Sequence, residues 1–307
     1  MTEIFDLAII GGGPGGVAAG VYSARKKIKA ILITECFRGQ SAVSSDIQNW
    51  IGDISVSGEE LHNRLEKHLK HYSKDILIKE KETVINITKS NGVFNIKTDK
   101  SEYGAKTILF TTGNIRKKIQ VKGAEEFEGK GITYCASCDG PMYGDMDVAV
   151  IGGGNSAFES AAQLSAYAKT VTIIQRSDFK AEPMMMEKVL ANPKVKGVTN
   201  VEMLEIKGDK FVTGIIYKDK KTGEIIELPV SGIFVEIGSN PSVDFIEHGL
   251  VELNEREEII IDPKNQKTNT PGIWAAGDCT NGLYRQNNIA VGDAVKAVED
   301  IYRYLKS

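Results

Sequence analysis

Two short apolar runs that each end in a cluster of glycines are the clearest hydrophobic pattern along the chain. Leu7–Ile10 precedes Gly11–Gly16, and Val148–Ile151 precedes Gly152–Ala157. Each apolar run predicts a strand, and the small residues after each glycine cluster predict a helix. A second β-rich run follows each helix, at residues 30–34 and 170–174. This order of strand, turn, helix and strand is typical of a dinucleotide-binding unit, and the chain contains it twice.

The glycines of such a unit have separate physical tasks. The first permits a tight turn, the second lets the backbone approach a pyrophosphate, and the third lets helix and strand pack closely. The pyrophosphate is then held at a helix N-terminus, where free amides and the helix dipole favour negative charge. The predicted contacts are Gly11, Gly13, Pro14 and Gly16 in the first unit, and Gly152, Gly154, Asn155, Ser156 and Ala157 in the second.

The residue after the second strand distinguishes the two units. Glu35 stands 24 residues after Gly11, and Arg176 stands 24 residues after Gly152. A carboxylate at this place accepts hydrogen bonds from a ribose hydroxyl, whereas an arginine pairs with a phosphate. The first unit is therefore predicted to bind FAD and the second to favour NADPH, with Lys180 as a second cation. The alternative for Arg176 is a solvated surface residue.

Three further apolar strands that run into glycine predict the domain organisation. They lie at Thr107–Gly113, Gly232–Gly238 and Gly272–Asp278. The last follows the second nucleotide unit, so we expect the C-terminal part to fold back onto the first. The prediction is an α/β fold of two Rossmann-like three-layer domains, the second inserted into the first. Residues 1–113 and 242–307 would form the FAD-binding domain, and residues 114–241 the NAD(P)H-binding domain with the cysteine pair.

Two alternating segments predict accessory sheets that cover these domains. Thr83–Thr98 has the pattern of a hairpin around Ser90-Asn91-Gly92, and Val201–Glu227 has a similar pattern with two turns.

Composition excludes several other classes of protein. The net charge of −3 over 307 residues gives no basic excess for nucleic-acid binding. There is no uninterrupted apolar run of membrane-spanning length and no pattern of an export signal, so we expect a cytoplasmic protein.

The cysteines point to redox chemistry. Cys135 and Cys138 form a C-x-x-C pair followed by Asp139, and such a pair can close a small disulfide ring or contribute to a metal site. A zinc site is disfavoured, because Cys36 and Cys279 are isolated and no histidine lies near a cysteine in sequence. We therefore predict no metal. Cys36 and Cys279 are interpreted as packing residues, and the helix with His62, His68 and His71 as a solvated face.

Taken together, these motifs resemble the low-molecular-weight thioredoxin reductases and the flavoprotein subunit of alkyl hydroperoxide reductase. The resemblance covers nearly the whole chain. The matching segments are Gly11–Gly16, Gly39-Gln40, Asp46–Trp50, Thr111–Gly113, Cys135–Gly140, Gly152–Ala157, Ala275–Asp278 and Arg285-Gln286. The hydroperoxide reductase subunit also carries an N-terminal dithiol domain, which this sequence does not predict.

The resemblance implies FAD, a homodimer and roles for individual residues. Cys138 would face the flavin, Cys135 would attack the partner's disulfide, and Asp139 would be the acid–base residue. Besides the first glycine turn and Glu35, the residues matched to the flavin site are Gln40, Asn49, Thr112, Gly113, Gly277, Asp278, Arg285 and Gln286.

The function implied is transfer of electrons from NADPH through FAD and the cysteine pair to the disulfide of thioredoxin or a glutaredoxin-like protein. The coenzyme stays open, because one arginine remains in Gln175–Lys180 where thioredoxin reductases usually carry several. The alternatives are the same relay with NADH, ferredoxin or another donor, or a relay that serves a peroxiredoxin system. A flavin redox sensor is a further alternative.

Overall fold

The computed structural model describes residues 3–44 and 47–307, so Asp46 of the matched motifs lies outside the described residues. The chain divides into two compact units. Unit 1 comprises Met1–Val43, Trp50–Ile115 and Asn240–Ser307, and unit 2 comprises Ser44–Asn49 and Arg116–Ser239. Unit 2 is thus inserted into unit 1, as we predicted from the sequence for an α/β fold of two Rossmann-like domains.

Strands and helices alternate at the start of each unit, and runs of consecutive strands follow. In chain order the elements are β1 (Ile4–Ile10), α1 (Pro14–Arg25), β2 (Ala30–Thr34), α2 (Gly58–His71), β3 (Leu77–Glu80), β4 (Val84–Ser90), β5 (Val93–Thr98), β6 (Glu102–Phe110), β7 (Asn114–Arg116), β8 (Ile132–Thr133), α3 (Ala136–Asp139), β9 (Asp147–Ile151), α4 (Asn155–Leu164), β10 (Thr170–Ile174), α5 (Pro183–Leu190), β11 (Val195–Val198), β12 (Val201–Gly208), β13 (Val212–Asp219), β14 (Ile225–Pro229), β15 (Gly232–Val235), β16 (Ser239–Pro241), β17 (Ile273–Ala275) and α6 (Asn287–Tyr304).

A parallel sheet with the order β3-β2-β1-β6-β17 forms the centre of unit 1. The second half of β1 and the whole of β2 are continuous buried runs, because both faces of the sheet are covered there. On one face Leu7 and Ile9 pack with Val298 and Ile301 of α6. Ala8 and Ile10 belong to the separate core on the other face.

The predicted hairpin around Asn91 and Gly92 is present as β4 and β5. Both turn residues have positive φ, 51° and 78°, as tight hairpin turns require. The hairpin differs from the prediction in one respect. It is not a separate accessory sheet, because β5 pairs with the first half of β6 and so extends the central sheet.

Unit 2 repeats the same plan. A parallel sheet with the order β11-β10-β9-β15-β8 lies between two apolar cores. One core contains Phe158 and Leu164 of α4. The other joins the sheet to a separate antiparallel sheet, β12-β13-β14, which is the predicted accessory sheet of this unit.

The two connections between the units pair with each other as a two-stranded ribbon of β7 and β16. The Lys117 amide also donates to the Gly238 carbonyl at 3.0 Å, and the Ser242 amide to the Gly113 carbonyl at 3.1 Å. The segment that leaves unit 1 and the segment that returns to it are therefore paired with each other.

The two cysteines outside the pair differ in environment. Cys279 is buried in the core of unit 1, as expected for a packing residue, and burial raises the pKa of its thiol. Cys36 is exposed, so the prediction that it packs in the core is wrong. The reason is that β2 ends at Thr34, and Cys36 lies in the loop beyond the sheet.

Among the described residues no helix is both long and apolar enough to span a membrane.

Candidate functional site

The first glycine turn joins β1 to α1 in a conformation that only glycine adopts easily. Gly11 has φ +111°, and its amide donates to the Ile33 carbonyl at 2.9 Å. A Cβ at Gly16 would lie 1.9 Å from the Gly11 carbonyl oxygen, so α1 packs directly on the turn.

The N-terminus of α1 has the features of an anion site. Its N-cap is Gly13, and no described side chain caps it or supplies a negative charge in the first turn. In α2, by contrast, the Ser57 hydroxyl accepts the Glu60 amide at 3.1 Å. The first amides of α1 are therefore available to a bound pyrophosphate.

Other segments of unit 1 meet at this turn. The Thr111 hydroxyl lies 3.0 Å from the Ile10 carbonyl oxygen and 3.1 Å from that of Gly11, which holds the predicted residues Thr112 and Gly113 beside the turn. Ala290 of α6 packs on the turn from another side. A Cβ added at Gly15 would lie 3.1 Å from the carbonyl oxygen of Ala290. A Cβ added at Gly277 would lie 3.0 Å from the Cβ of Ala290.

The loop with Gln40 also lies against the glycine turn. A Cβ at Gly39 would be 3.3 Å from Cδ of Pro14, the first residue of α1. The Gln40 amide donates to the backbone and side-chain oxygens of Asn114, which follows Gly113. Gln40 is therefore held at the end of β6, close to the glycine turn.

Arg285, one of the residues matched to the flavin site, forms an ion pair with Glu258. Glu258 is buried and accepts a second bond from the Asn254 side chain at 2.7 Å. Sequence analysis missed Glu258, because residues 255–258 include three glutamates and only the fold distinguishes the buried carboxylate from the exposed ones.

Unit 1 thus contains every residue of the predicted flavin set except one. Glu35 is exposed just beyond β2, and Asp278 is half-buried after Gly277, while Gln286 is the N-cap of α6. Asn49 is the exception, because the segment Ser44–Asn49 belongs to unit 2.

The second glycine turn joins β9 to α4 with the same backbone course. Gly152 has φ +144°, and its amide donates to the Ile174 carbonyl at 2.9 Å. The N-cap of α4 is Gly154, again without a side-chain cap among the described residues. Asn155 accepts the Glu182 amide at 2.9 Å, which ties the helix start to the loop before α5.

Three cations lie on the segments beside this turn. Arg176 and Lys180 are exposed in the loop after β10, and the Lys180 amide donates to the Gly153 carbonyl at 2.7 Å. The third is Lys220, whose Nζ donates to the Arg176 carbonyl at 3.0 Å. No local sequence signal identifies Lys220, because the turn between β13 and β14 is distant from this loop in sequence.

Glu236 follows β15 and lies against the same turn. A Cβ at Gly152 would be 2.2 Å from the Glu236 carbonyl oxygen. The Ser160 hydroxyl of α4 donates to the Glu236 carboxylate at 2.7 Å. Burial raises the pKa of Glu236, while this hydrogen bond and Arg116 partly oppose the shift.

Cys135 and Cys138 form a disulfide in unit 2, as the spacing predicted. Cys135 is the N-cap of the short helix α3, and its carbonyl accepts the amides of Cys138 at 3.2 Å and Asp139 at 3.0 Å. Nδ2 of Asn49 lies 3.9 Å from Sγ of Cys138. Both cysteines are half-buried, so the disulfide remains in reach of solvent.

Asp139 directly follows the disulfide and is only 8% exposed. Two hydroxyl groups donate to its carboxylate, Ser44 Oγ at 2.7 Å and Thr133 Oγ1. Burial and the charge of Asp139 raise the pKa of the nearby Tyr143 to about 12. Asp139 is therefore a buried and hydrogen-bonded carboxyl next to the sulfur pair, which is an arrangement suited to proton transfer.

Several known proteins are similar to this chain over nearly its whole length. The sequence profile described as pyridine nucleotide-disulphide oxidoreductase matches residues 5–294. A protein named NADH dehydrogenase from Bacillus subtilis (strain 168) is 37% identical over 310 residues, which cover 99% of this chain and 59% of the relative. A component of alkyl hydroperoxide reductase from Escherichia coli (strain K12) is 37% identical over 307 residues, with 99% and 58% covered. The chain thus spans just under three fifths of the length of these curated relatives.

Among solved structures, the thioredoxin reductase from Streptococcus pyogenes MGAS5005 superimposes with a TM-score of 0.92 at 31% identity. The alignment covers 100% of this chain and 99% of the other. The resemblance predicted from the motifs is confirmed by these matches.

Proposed function

Since the chain belongs to the pyridine nucleotide-disulphide oxidoreductase family, we propose that it is an FAD-dependent dithiol–disulfide oxidoreductase that passes electrons from NADPH to a thioredoxin-like protein. The observation that carries the proposal is the half-buried Cys135–Cys138 disulfide beside the buried Asp139, in the unit that also contains the second glycine turn.

The residues of unit 1 fit FAD. The N-terminus of α1, which no described side chain caps, offers amides to the pyrophosphate, and Glu35 offers a carboxylate to the adenosine ribose. Gln40, Asp278 and Gln286 supply hydrogen-bonding groups on the segments that meet at the glycine turn. When bound, FAD supplies a two-electron carrier between a nicotinamide and the cysteine pair.

The cysteines then act in two exchange steps. In the first, the Cys135 thiolate attacks the partner's disulfide, which forms a Cys135–partner bond and releases one partner thiolate. In the second, the Cys138 thiolate attacks Cys135, which restores the Cys135–Cys138 disulfide and releases the second partner thiolate. Asp139 holds or supplies the proton that the sulfur next to it needs at each step.

Single-cysteine variants test this division of roles. With Cys138→Ser, the mixed disulfide between Cys135 and a thioredoxin should persist, because the resolving thiol is missing. With Cys135→Ser, little or no such adduct should form. Mass spectrometry after non-reducing electrophoresis measures both, and equal adduct with either variant would overturn the assignment.

NADPH is the proposed donor, supported by the exposed cations Arg176 and Lys180 beside the second turn. Anaerobic stopped-flow mixing with NADPH or NADH measures how fast each coenzyme bleaches the flavin absorbance. Faster bleaching by NADPH supports the proposal. If neither coenzyme bleaches the flavin, a nicotinamide donor is excluded and a ferredoxin-type donor becomes the candidate.

A second candidate is the same relay driven by NADH in support of a peroxiredoxin. It is favoured by the similarity to the protein named NADH dehydrogenase and to the alkyl hydroperoxide reductase component. Turnover assays with a thioredoxin and with a peroxiredoxin-linked dithiol protein, each with both coenzymes, separate the two functions.

A homodimer is proposed for either function, and light scattering after size-exclusion chromatography tests the oligomeric state.

A further inference from the structure

His62 lies where the sequence pattern did not place it. The prediction of a solvated face is wrong for this residue, because His62 is only 3% exposed, whereas His68 and His71 are exposed. The inward face of α2 contains the buried Leu61 and Leu69 as well as His62. A buried imidazole needs hydrogen-bond partners for both ring nitrogens, and their identity shows what the ring does.

One ring nitrogen holds the loop before Gln40. Nδ1 of His62 is 3.0 Å from the Phe37 carbonyl oxygen and 3.4 Å from the Gly39 amide. The ring also fills the space beside Gly39, where a Cβ would lie 3.0 Å from Cε1 of His62. The same Cβ would be 3.3 Å from Pro14 in the first glycine turn. Gly39 is therefore packed between His62 and the start of α1.

The other ring nitrogen reaches the start of α6 through one hydroxyl group. Nε2 of His62 is 3.1 Å from Ser41 Oγ. The same oxygen is 3.0 Å from Nδ2 and 3.2 Å from Oδ1 of Asn287. Asn287 is the first residue of α6 and follows Gln286 directly.

With Nε2 as an acceptor, one arrangement of protons satisfies the short contacts. Nδ1–H of His62 donates to Phe37, Ser41 donates to Nε2, and Asn287 donates through Nδ2 to Ser41. This arrangement requires a neutral ring. Burial lowers the pKa of His62, and the nearby positive charge of Arg38 acts in the same direction. Arg38 itself is exposed and lies 3.7 Å from Glu59.

We propose that His62 is a positioning residue for the flavin, because through Ser41 and Asn287 it fixes the Gln40 loop and the Gln286 segment relative to each other. The inference rests on the proposed function, in which both segments bind FAD. In this role His62 acts through Ser41 and Asn287. The two hydrogen-bonded segments are already ordered before FAD binds. Binding therefore costs less conformational entropy than it would if the segments were mobile.

Three variants separate positioning from folding. His62→Leu removes both hydrogen bonds at similar volume, and Ser41→Ala breaks only the connection to Asn287. His68→Leu is the matched control on the exposed face of the same helix. The dissociation constant of FAD is measured by the recovery of flavin fluorescence on dilution, and thermal unfolding is followed on the apoprotein and the holoprotein.

We expect His62→Leu and Ser41→Ala to raise the FAD dissociation constant about tenfold, which corresponds to about 1.4 kcal/mol. His68→Leu should leave it unchanged. An unchanged constant in Ser41→Ala overturns the inference, even if His62→Leu does not fold. A lower melting temperature with an unchanged constant shows a purely structural role. If the unaltered protein does not bind FAD, the proposed function itself fails, so the two failures are distinct.

Discussion

The glycine turns of units 1 and 2 follow the same backbone course but differ in how closely the helix packs on the turn. A Cβ at Gly16 would lie 1.9 Å from the Gly11 carbonyl oxygen, whereas Ala157 holds its Cβ at the equivalent place. A Cβ added at Gly152 would be 3.3 Å from that methyl group. The second turn therefore accommodates a methyl group between helix and turn that the first turn does not. The glycine pattern in the sequence does not show this difference in helix packing.

The side chains around the two turns differ more than their backbones. In both units the first glycine amide donates to the penultimate or last residue of the second strand, Ile33 in one and Ile174 in the other. This shared register makes Glu35 and Arg176 equivalent in position. A carboxylate and a guanidinium at the same place favour different groups on a ribose, so a shared scaffold supports sites of different charge.

The largest effect is expected from exchanging the third glycine position. Gly16→Ala should destabilise unit 1 by about 3 kcal/mol, because the added methyl group meets backbone that must move. The reverse change, Ala157→Gly, should cost only about 1 kcal/mol of helix propensity. Urea unfolding and the flavin content of the purified proteins measure both. Similar losses in the two variants would show that the packing difference is not real.

Reversal of charge at the second turn is expected to have the next largest effect. Arg176→Glu should lower kcat/KM for NADPH about tenfold to a hundredfold, since a charge-assisted hydrogen bond contributes about 1.5–3 kcal/mol. The value for NADH should stay within about twofold. Lys196→Glu, an exposed position on β11, controls for net charge. Equal losses with both coenzymes would place Arg176 outside the phosphate site.

A smaller effect is expected in the pH dependence of the unfolding free energy of unit 1. Burial lowers the pKa of His62 from 6.5, so the unfolded chain takes up the proton first as the pH falls. The stability that depends on the neutral ring is complete above about pH 6.5 and is lost as the pH falls below that value. His62→Gln does not titrate and should lose less stability on acidification. Parallel curves of unfolding free energy against pH would contradict this.

The smallest effect is expected at Glu236, which stands in unit 2 where unit 1 has Thr111. Burial raises the pKa of this carboxyl above 4.5, so its charged form costs stability at neutral pH. Glu236→Gln should therefore be more stable than the unaltered protein at pH 7, and the difference should vanish as the pH falls through 4.5. Glu187→Gln, an exposed position on α5, should show no such change in the same unfolding series.

Much of the fold could be predicted from local pattern. The strands before both glycine clusters are continuous apolar runs, and each cluster supplies the positive φ that the turn needs. Asn91 and Gly92 identified a hairpin for the same reason. The pattern did not predict that this hairpin joins the central sheet, because the pairing depends on the length of β6, whose first part pairs with β5 and whose last part pairs with β17.

The candidate site was predictable where the chemistry resides in consecutive residues. The cysteine spacing predicted the disulfide, whereas the donors to Asp139 include Ser44, 95 residues away in sequence. The burial of His62 was missed because charged residues flank it on α2, and only the packed helix shows which face points inward. Lys220 was missed for a similar reason, since a turn lysine has no sequence signal for its partner.

The insertion of unit 2 has a consequence for synthesis on the ribosome. Apart from Ser44–Asn49, unit 2 is one continuous stretch that ends at Ser239. The sheet of unit 1 needs β17, and its helical layer needs α6, which supplies Val298 and Ile301 to the core. The N-terminal half of unit 1 therefore leaves the ribosome first but completes its core last. Throughout that interval Leu7 and Ile9 lack their partners on α6, so unit 1 spends longer than unit 2 with an incomplete core.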